Sequence, residues 1–503
     1  MTAIDATSIH YYDVIIIGGG IAGIAIAEFL SRKCRLSIKV VEQAPQLGTG
    51  ASGKLEGWLH TGGLYAGLDD AQTFMNCVNA VEDLINHYTS YFPGRCNLSC
   101  EERQPGIFVP MVTPQERGWF NAAPVFYMHP TLDAPEIRLS HFKNDAVLLE
   151  IQRQRVLGRL EAAFGLQHSW LQAGKCQAPT YAQIERYRGT TCSLTDAAGI
   201  LTDICRRFDR SFGLPDSTYH IIKSPDVSLN AATIMRDLVA NALANGVDFE
   251  TGLSIESLVL DRFGPMRINS LQCRGQRRIP MHLKAKLFVF AVGAGFDRYL
   301  DQLNVRARLK ISNSAMVVAW PALSSINFAR MSIKRKFHFN HLLQCVRGQQ
   351  GPIQFSMLAN SGFVAQDANV EERVADLDAL LDAAERYFGR EELYARKLYA
   401  YECVKTEFLS AEEEKRRYSY WIEHPRDTNY LSVLPGKFSF FPTVAYQTYL
   451  CIKGLLHLDE EVSRKPFNVD SQSEQLAQEL VAAPYPLQIL AAEPNLASTD
   501  SVG

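Results

Sequence analysis

Several features are missing from this 503-residue sequence, and each absence narrows what it can be. No run of about 18 uninterrupted apolar residues occurs, so no transmembrane helix is expected. The residues up to His10-Tyr11-Tyr12 lack both a basic segment and an apolar stretch, which argues against a secretory leader. Neither sign of charge is in excess: 54 acidic and 51 basic residues leave a formal charge of -3. Neither a basic field for nucleic acid nor an acidic tail follows from that balance. The eleven cysteines are scattered, with only Cys96 and Cys100 close together. Without C-x-x-C or Cys/His ligand spacing, no metal site is expected, and the cysteines read as reduced thiols of a cytoplasmic protein. Internal repeats and low-complexity linkers are also lacking. What remains is an ordinary globular chain, 47% apolar and 21% charged, long enough for two domains.

The clearest pattern lies near the start. Asp13 to Ile17 is a short apolar run, as expected of a strand buried on both faces. Gly18-Gly19-Gly20-Ile21-Ala22-Gly23 follows it and opens a helix rich in small residues; a second apolar strand, 36–41, ends at Glu42. The spacing G-x-G-x-x-G is weak alone, but between a strand and a helix, with an acid closing the next strand, it predicts a dinucleotide site. Gly18 would permit the tight turn, Gly20 the approach of backbone to pyrophosphate, and Gly23 close helix–strand packing. The helix N-terminus would offer N–H groups and partial positive charge to the phosphates. Glu42 would accept the ribose hydroxyls, which disfavours a 2′-phosphate and hence NADP.

Further β-α units do not follow directly. A glycine-rich stretch over 48–67 follows instead and could wrap a long cofactor. This loop, with Leu59-His60-Thr61-Gly62, resembles that of FAD-dependent oxidoreductases of the D-amino-acid oxidase type, and most of all their glycerol-3-phosphate and 2-hydroxyglutarate dehydrogenase branches. Three later stretches resemble the same superfamily. In 226–255, a helix and Gly246 precede the strand carrying Ile255, which the resemblance places against adenine. Residues 287–295, through Gly293, resemble the second cofactor strand. Leu431 to Ser439 resembles a Gly-Gly-Lys-x-Thr turn over the flavin, with Pro435 for its first Gly and Ser439 for its Thr. The resemblance implies FAD as cofactor, with Gly18, Gly20, Ile21, Ala22, Gly23, Glu42, Gln43, Ser52, Gly53, Ile255, Gly293, Gly436 and Lys437 around it.

For catalysis, a hydride leaving a C–H that bears OH or NH must be accompanied by loss of the heteroatom proton, so a base titrating near neutrality is useful. His60, in the glycine-rich loop, is the first candidate; its rival role is to shape that loop. Lys405 stands where the superfamily often has an Arg that binds a substrate anion, and Tyr65 could line the same site. On a strand, Lys334, Lys336, His338 and Asn340 would share a face, either toward an anionic substrate or as an exposed edge; His341 would face away.

The expected fold is α/β: a Rossmann-type FAD domain with a parallel sheet, intertwined with a mainly antiparallel substrate domain. The FAD domain would comprise 1–95, 221–308 and 400–460, and the substrate domain 96–220 and 309–399. Residues 461–503 would form a partly mobile C-terminal extension. The expected activity is removal of a hydride from a CH–OH or CH–NH group of a small polar, anionic substrate, with electrons passing to an acceptor the sequence leaves open. Peripheral membrane contact stays possible, and nucleic acid is not expected. Two other readings stand beside it. A flavin monooxygenase would need NAD(P)H, for which no second G-x-G-x-x-G is seen; a non-catalytic flavin-binding protein would bind FAD that no substrate reduces.

Overall fold

In the computed structural model the described residues are 8–60, 71–96, 98–104, 107–112, 118–121, 123, 125–130, 190–192, 219–224, 226–261, 266–275, 280–300, 302–303, 308–332, 337–348, 351–360, 364–409, 419–458, 462, 466–467 and 469–483. Residues 144–164, whose sequence pattern predicts a helix, lie outside them. The chain divides into two compact units: 1–55, 231–310 and 406–503 in one, and 56–230 with 311–405 in the other.

The first unit is built on a mixed sheet. Strand Ser8–Ile17 lies between Ile38–Glu42 and Pro280–Phe290, all parallel; Asp248–Thr251 extends one side and Tyr430–Leu434 the other, again in parallel. The first half of Pro280–Phe290 pairs antiparallel with Ile268–Arg274, which in turn pairs antiparallel with Ser254–Leu260. The central strands are apolar because helices cover them: Val14, Ile15, Ile16, Phe288, Val289 and Phe290 have no exposed surface. Helix Ile21–Lys33, buried along nearly its whole length, packs on Ala231–Ala244 and Phe441–Leu455. Arg32 and Glu28 form a buried pair at 2.9 Å, and Asn241 donates to Glu28 at 2.8 Å, so the charge enters the core accompanied. Burial raises the pKa of Glu28, against the nearby Arg32.

Register decides where the site lies. Ile17 stands opposite Val41 and Phe290, and Phe290 opposite Ser432. Four neighbouring parallel strands therefore end at one edge, and the turns that leave them gather there, the usual binding edge of such sheets.

Among the described residues, the second unit has a nine-stranded, largely antiparallel sheet. Helix Val370–Phe388 covers one face, opened by a capping box between Asn369 and Glu372. Its Leu380, Ala383, Tyr387 and Phe388 pack against Phe328, Phe339 and Leu358. A three-stranded sheet pairs Val227–Leu229 with Trp58–Leu59 and with Phe120–Asn121. No helix among the described residues is long and apolar enough to cross a membrane.

Candidate functional site

The glycine turn is shaped by close approach. Gly18 has φ +110°, and its N–H donates to the Val41 carbonyl at 2.8 Å. A Cβ on Gly18 would stand 2.4 Å from the Ala291 carbonyl oxygen, and one on Gly23 would stand 2.0 Å from that of Gly18. The chain's own packing therefore requires both glycines. Gly20 differs: its backbone is extended (φ -78°, ψ 179°), and a Cβ there would meet only the Ser52 hydroxyl, at 3.3 Å. Among the described residues, nothing requires glycine at that position. Gly20 caps helix Ile21–Lys33 without a side chain, so the amides of Ala22 and Gly23 form the open end of a helix. The Ile21 N–H donates to Ser52 Oγ at 3.0 Å, which leaves the Ser52 proton available for donation.

Glu42 ends the neighbouring strand. Its carboxylate accepts the Gly19 N–H at 2.7 Å and the Ala44 N–H at 2.8 Å, one on each oxygen. Each oxygen can accept a further hydrogen bond. Gln43, next in the chain, is exposed. Gly53 lies in the short helix Ala51–Lys54, where a Cβ would stand 2.3 Å from the Gly48 carbonyl oxygen. Across the turn, the Ala291 N–H donates to Ile17, and Gly293 begins a short helix at φ +53°. Gly436 has φ +68°, a Cβ there would stand 2.1 Å from the Ser419 carbonyl oxygen, and the Lys437 N–H closes onto Pro435 at 2.7 Å. Ile255 is buried within its strand, and its carbonyl accepts from Arg298 Nη2 at 2.7 Å, a partner that local sequence did not suggest. Contacts thus join Gly18, Glu42, Ser52 and Ala291, while strand order sets Gly436 at the same sheet edge.

In the second unit, His60 and Asp226 form a buried pair, with Nδ1 and Oδ2 2.9 Å apart. The Asp226 side chain has no exposed surface. Against a carboxylate, Nδ1 is the donor and Nε2 the basic nitrogen. Trp58 stacks on the imidazole, its ring plane within 4° and its centroid at 5.9 Å. Glu56 holds the indole N–H at 3.0 Å, and the Glu56 carbonyl takes Gln344 Nε2 at 2.9 Å. The short antiparallel pairing of Val227 with Leu59 brings Asp226 beside His60, although 166 residues separate them in sequence.

A family model described as "FAD dependent oxidoreductase" (DAO) matches residues 13–412. The chain belongs to this family. Among solved structures it is similar to a glycine oxidase from Geobacillus kaustophilus, with 14% identity, a TM-score of 0.54, and coverage of 92% of this chain and 97% of that one. It is also similar to an FAD-bound L-alpha-glycerophosphate oxidase from Mycoplasma pneumoniae, at 11% identity and TM-score 0.53, covering 91% of this chain and 98% of that one. An L-proline dehydrogenase from P. horikoshii gives 12% identity and TM-score 0.53, covering 89% and 94%. At these identities the likeness concerns the fold. A search of curated proteins finds no match.

The chain is therefore an FAD-dependent oxidoreductase of the DAO family, with the mixed α/β fold expected from its sequence. Its glycine turn fits that cofactor: the helix end is open, and the glycine at position 20, which packing does not demand, leaves room for backbone to meet phosphate. The remaining candidates of this flavoenzyme fall as follows. Lys405 is half-buried on strand Lys397–Leu409, on the face of Tyr401 and Cys403. Tyr65 and Lys334 to Lys336 lie outside the described residues. The side chain of His338 lies outside what is described; Asn340 and His341 take opposite faces of strand Phe337–Gly348. His341 is fully buried, with Nδ1–H donating to the Ile326 carbonyl at 2.9 Å and Nε2 accepting from Ser356 at 2.7 Å. Burial lowers its pKa to about 4, so it stays neutral. Among the described residues no group of three or more His, Cys, Asp or Glu side chains could hold a metal ion.

Proposed function

We propose that this flavoenzyme oxidises a CH–OH or CH–NH group of a small, polar, anionic substrate, with His60 as general base. The unit formed by 1–55, 231–310 and 406–503 is the FAD domain in this reading, and the other unit receives the substrate. Gly18, Gly20, Ile21, Ala22, Gly23 and Ser52 take the pyrophosphate, Glu42 and Gln43 the adenosine ribose. Ile255 serves the adenine, while Gly53, Gly293, Gly436 and Lys437 serve the rest of the cofactor. FAD supplies the hydride acceptor.

The observation that carries the reading is the His60–Asp226 pair. As the substrate gives up its hydride, its hydroxyl or ammonium proton must leave, and His60 Nε2 is the nitrogen to take it. Asp226 holds Nδ1–H, fixes the tautomer that leaves Nε2 basic, and balances the imidazolium that results. Trp58 fixes the ring plane. Lys405 contributes a point charge for the substrate's anionic group. A reducing, cytoplasmic setting belongs to the same reading, since the sequence spaces its cysteines without C-x-x-C or Cys/His ligand patterns.

Anaerobic mixing of the purified holoenzyme with 2-hydroxy acids, amino acids and sugar phosphates tests it. Bleaching of the flavin by at least one of them is expected, slowed on the order of 10²–10⁴-fold in His60→Gln. No bleaching across the panel, or equal rates in His60→Gln, would overturn the reading.

A further inference from the structure

The loop between Glu42 and Ser52 is held from three directions. From the glycine turn, the Gly48 N–H donates to the Gly19 carbonyl at 2.8 Å. From the adjoining strand corner, the Gly252 N–H donates to Ala44 at 2.7 Å and the Leu253 N–H to Glu42 at 3.0 Å. The third hold comes from the far end of the chain. The Leu47 N–H donates to the Leu480 carbonyl at 2.8 Å, and the Ala482 N–H donates to the Leu47 carbonyl at 3.0 Å. Together these make an isolated parallel bridge between Leu47 and Val481. Gln46 Nε2 adds a bond to the Glu479 carbonyl at 3.0 Å.

We propose that the Leu480–Ala482 segment is a positioning element of the FAD site, clasping Leu47 so that the loop after Glu42 keeps the shape that receives the adenosine diphosphate half of the cofactor. A continuous chain of contacts supports this. Leu47 and Val481 have no exposed surface. The Leu47 side chain lies directly over Gly19, so closely that a Cβ on Gly19 would stand 2.4 Å from Leu47 Cδ2. Gly19 in turn gives its N–H to Glu42. Ala482 thus acts on Glu42 through Leu47 and Gly19, all inside one compact unit. The clasp is itself anchored. Helix Ser471–Leu480 is capped by Asp470, which accepts the Ser473 N–H at 2.8 Å. It packs on Ala231–Ala244, with Ala477 buried, and the Val481 N–H closes its end onto Ala477. Met235 of Ala231–Ala244 lies against Gly48, where a Cβ would stand 2.8 Å from the Met235 methyl carbon. The clasp lies beyond residues 13–412, the stretch matched by the family model.

The inference rests on FAD lying along the Gly18–Gly23 turn, and the experiment separates the two. Ala482→Pro removes the N–H given to Leu47; Val481, at φ -89° and ψ 125°, already has the backbone that precedes a proline. A chain ending at Asp470 removes the whole clasp. Apoprotein of each is titrated with FAD by flavin fluorescence, and its melting is followed without FAD. In Ala482→Pro the Kd for FAD should rise at least about tenfold while the apoprotein melts within about 4 °C of the parent. The truncated chain should bind FAD at least as weakly. Kd values within about twofold of the parent in both variants, or weakening only in step with lost apoprotein stability, would overturn the clasp. Gly20→Val, which fills the approach to the phosphates, tests the placement of FAD separately. If it binds FAD like the parent, that placement is wrong, whatever the clasp variants show.

Discussion

Gly18 and Ala291 meet so closely that a methyl group on the glycine would stand 2.4 Å from the Ala291 carbonyl oxygen, at a φ of +110°. Gly20, two residues on, has extended backbone and no such neighbour. The two glycines should therefore respond differently to alanine. Gly18→Ala should lower stability by roughly 2–4 kcal/mol, read by urea unfolding of the apoprotein. Gly20→Ala should change it by less than about 1 kcal/mol yet weaken FAD binding at least about tenfold. Equal losses of stability in both variants would contradict the separate roles.

Glu42 accepts two backbone amides and, as proposed, the ribose hydroxyls as well. Glu42→Gln keeps one acceptor oxygen and replaces the other with a donor that faces an N–H. FAD affinity should drop by about 10- to 100-fold, measured by isothermal titration of apoprotein. An unchanged Kd would remove Glu42 from the cofactor site.

Asp226→Asn retains shape and removes charge. The amide can donate to Nδ1, which puts the proton on Nε2 and disables the base. Flavin reduction should slow on the order of 10²–10⁴-fold in anaerobic stopped flow, with FAD content unchanged. A rate within about threefold of the parent would count against the pair as a catalytic device.

Lys405→Ala should raise KM about tenfold or more for an anionic substrate and leave kcat nearly unchanged, since a point charge that binds substrate and transition state alike acts on KM. A loss confined to kcat would argue for another role.

His341 makes folding pH-dependent. Its pKa, 6.5 for an unperturbed histidine, is lowered by burial to about 4 in the fold. The neutral ring is the form the core accepts, so its contribution is whole above about pH 6.5 and is lost as pH falls toward about 4. The full swing is roughly 3 kcal/mol. Urea unfolding at pH 7 and pH 5 should show part of that loss in the parent and less in His341→Gln. The same pH dependence in both would point to other groups.

Much of the first unit was legible in sequence. The run Val14 to Ile17, the glycines after it and the small-residue helix that follows are local patterns with local causes, and each took the expected form. The alternation over 309–358 and the charged and apolar faces of 371–387 are local patterns too, and the structure has strands and a helix there. Ile255 was legible as a strand residue, but its carbonyl partner Arg298 was not, because 43 residues separate them and no spacing encodes the contact. His60 could be singled out by its loop; the aspartate beside it could not.

The sequence by itself determined the strand–glycine–helix frame and the acid at Glu42, because five apolar residues before a glycine turn can satisfy their burial and backbone geometry in few ways. Only the tertiary structure decided that Asp226 meets His60 and that Val481 reaches Leu47. Those contacts join residues far apart in the chain, and whether they form depends on which strands pair and which helices stack, a property of the whole fold that no local pattern carries.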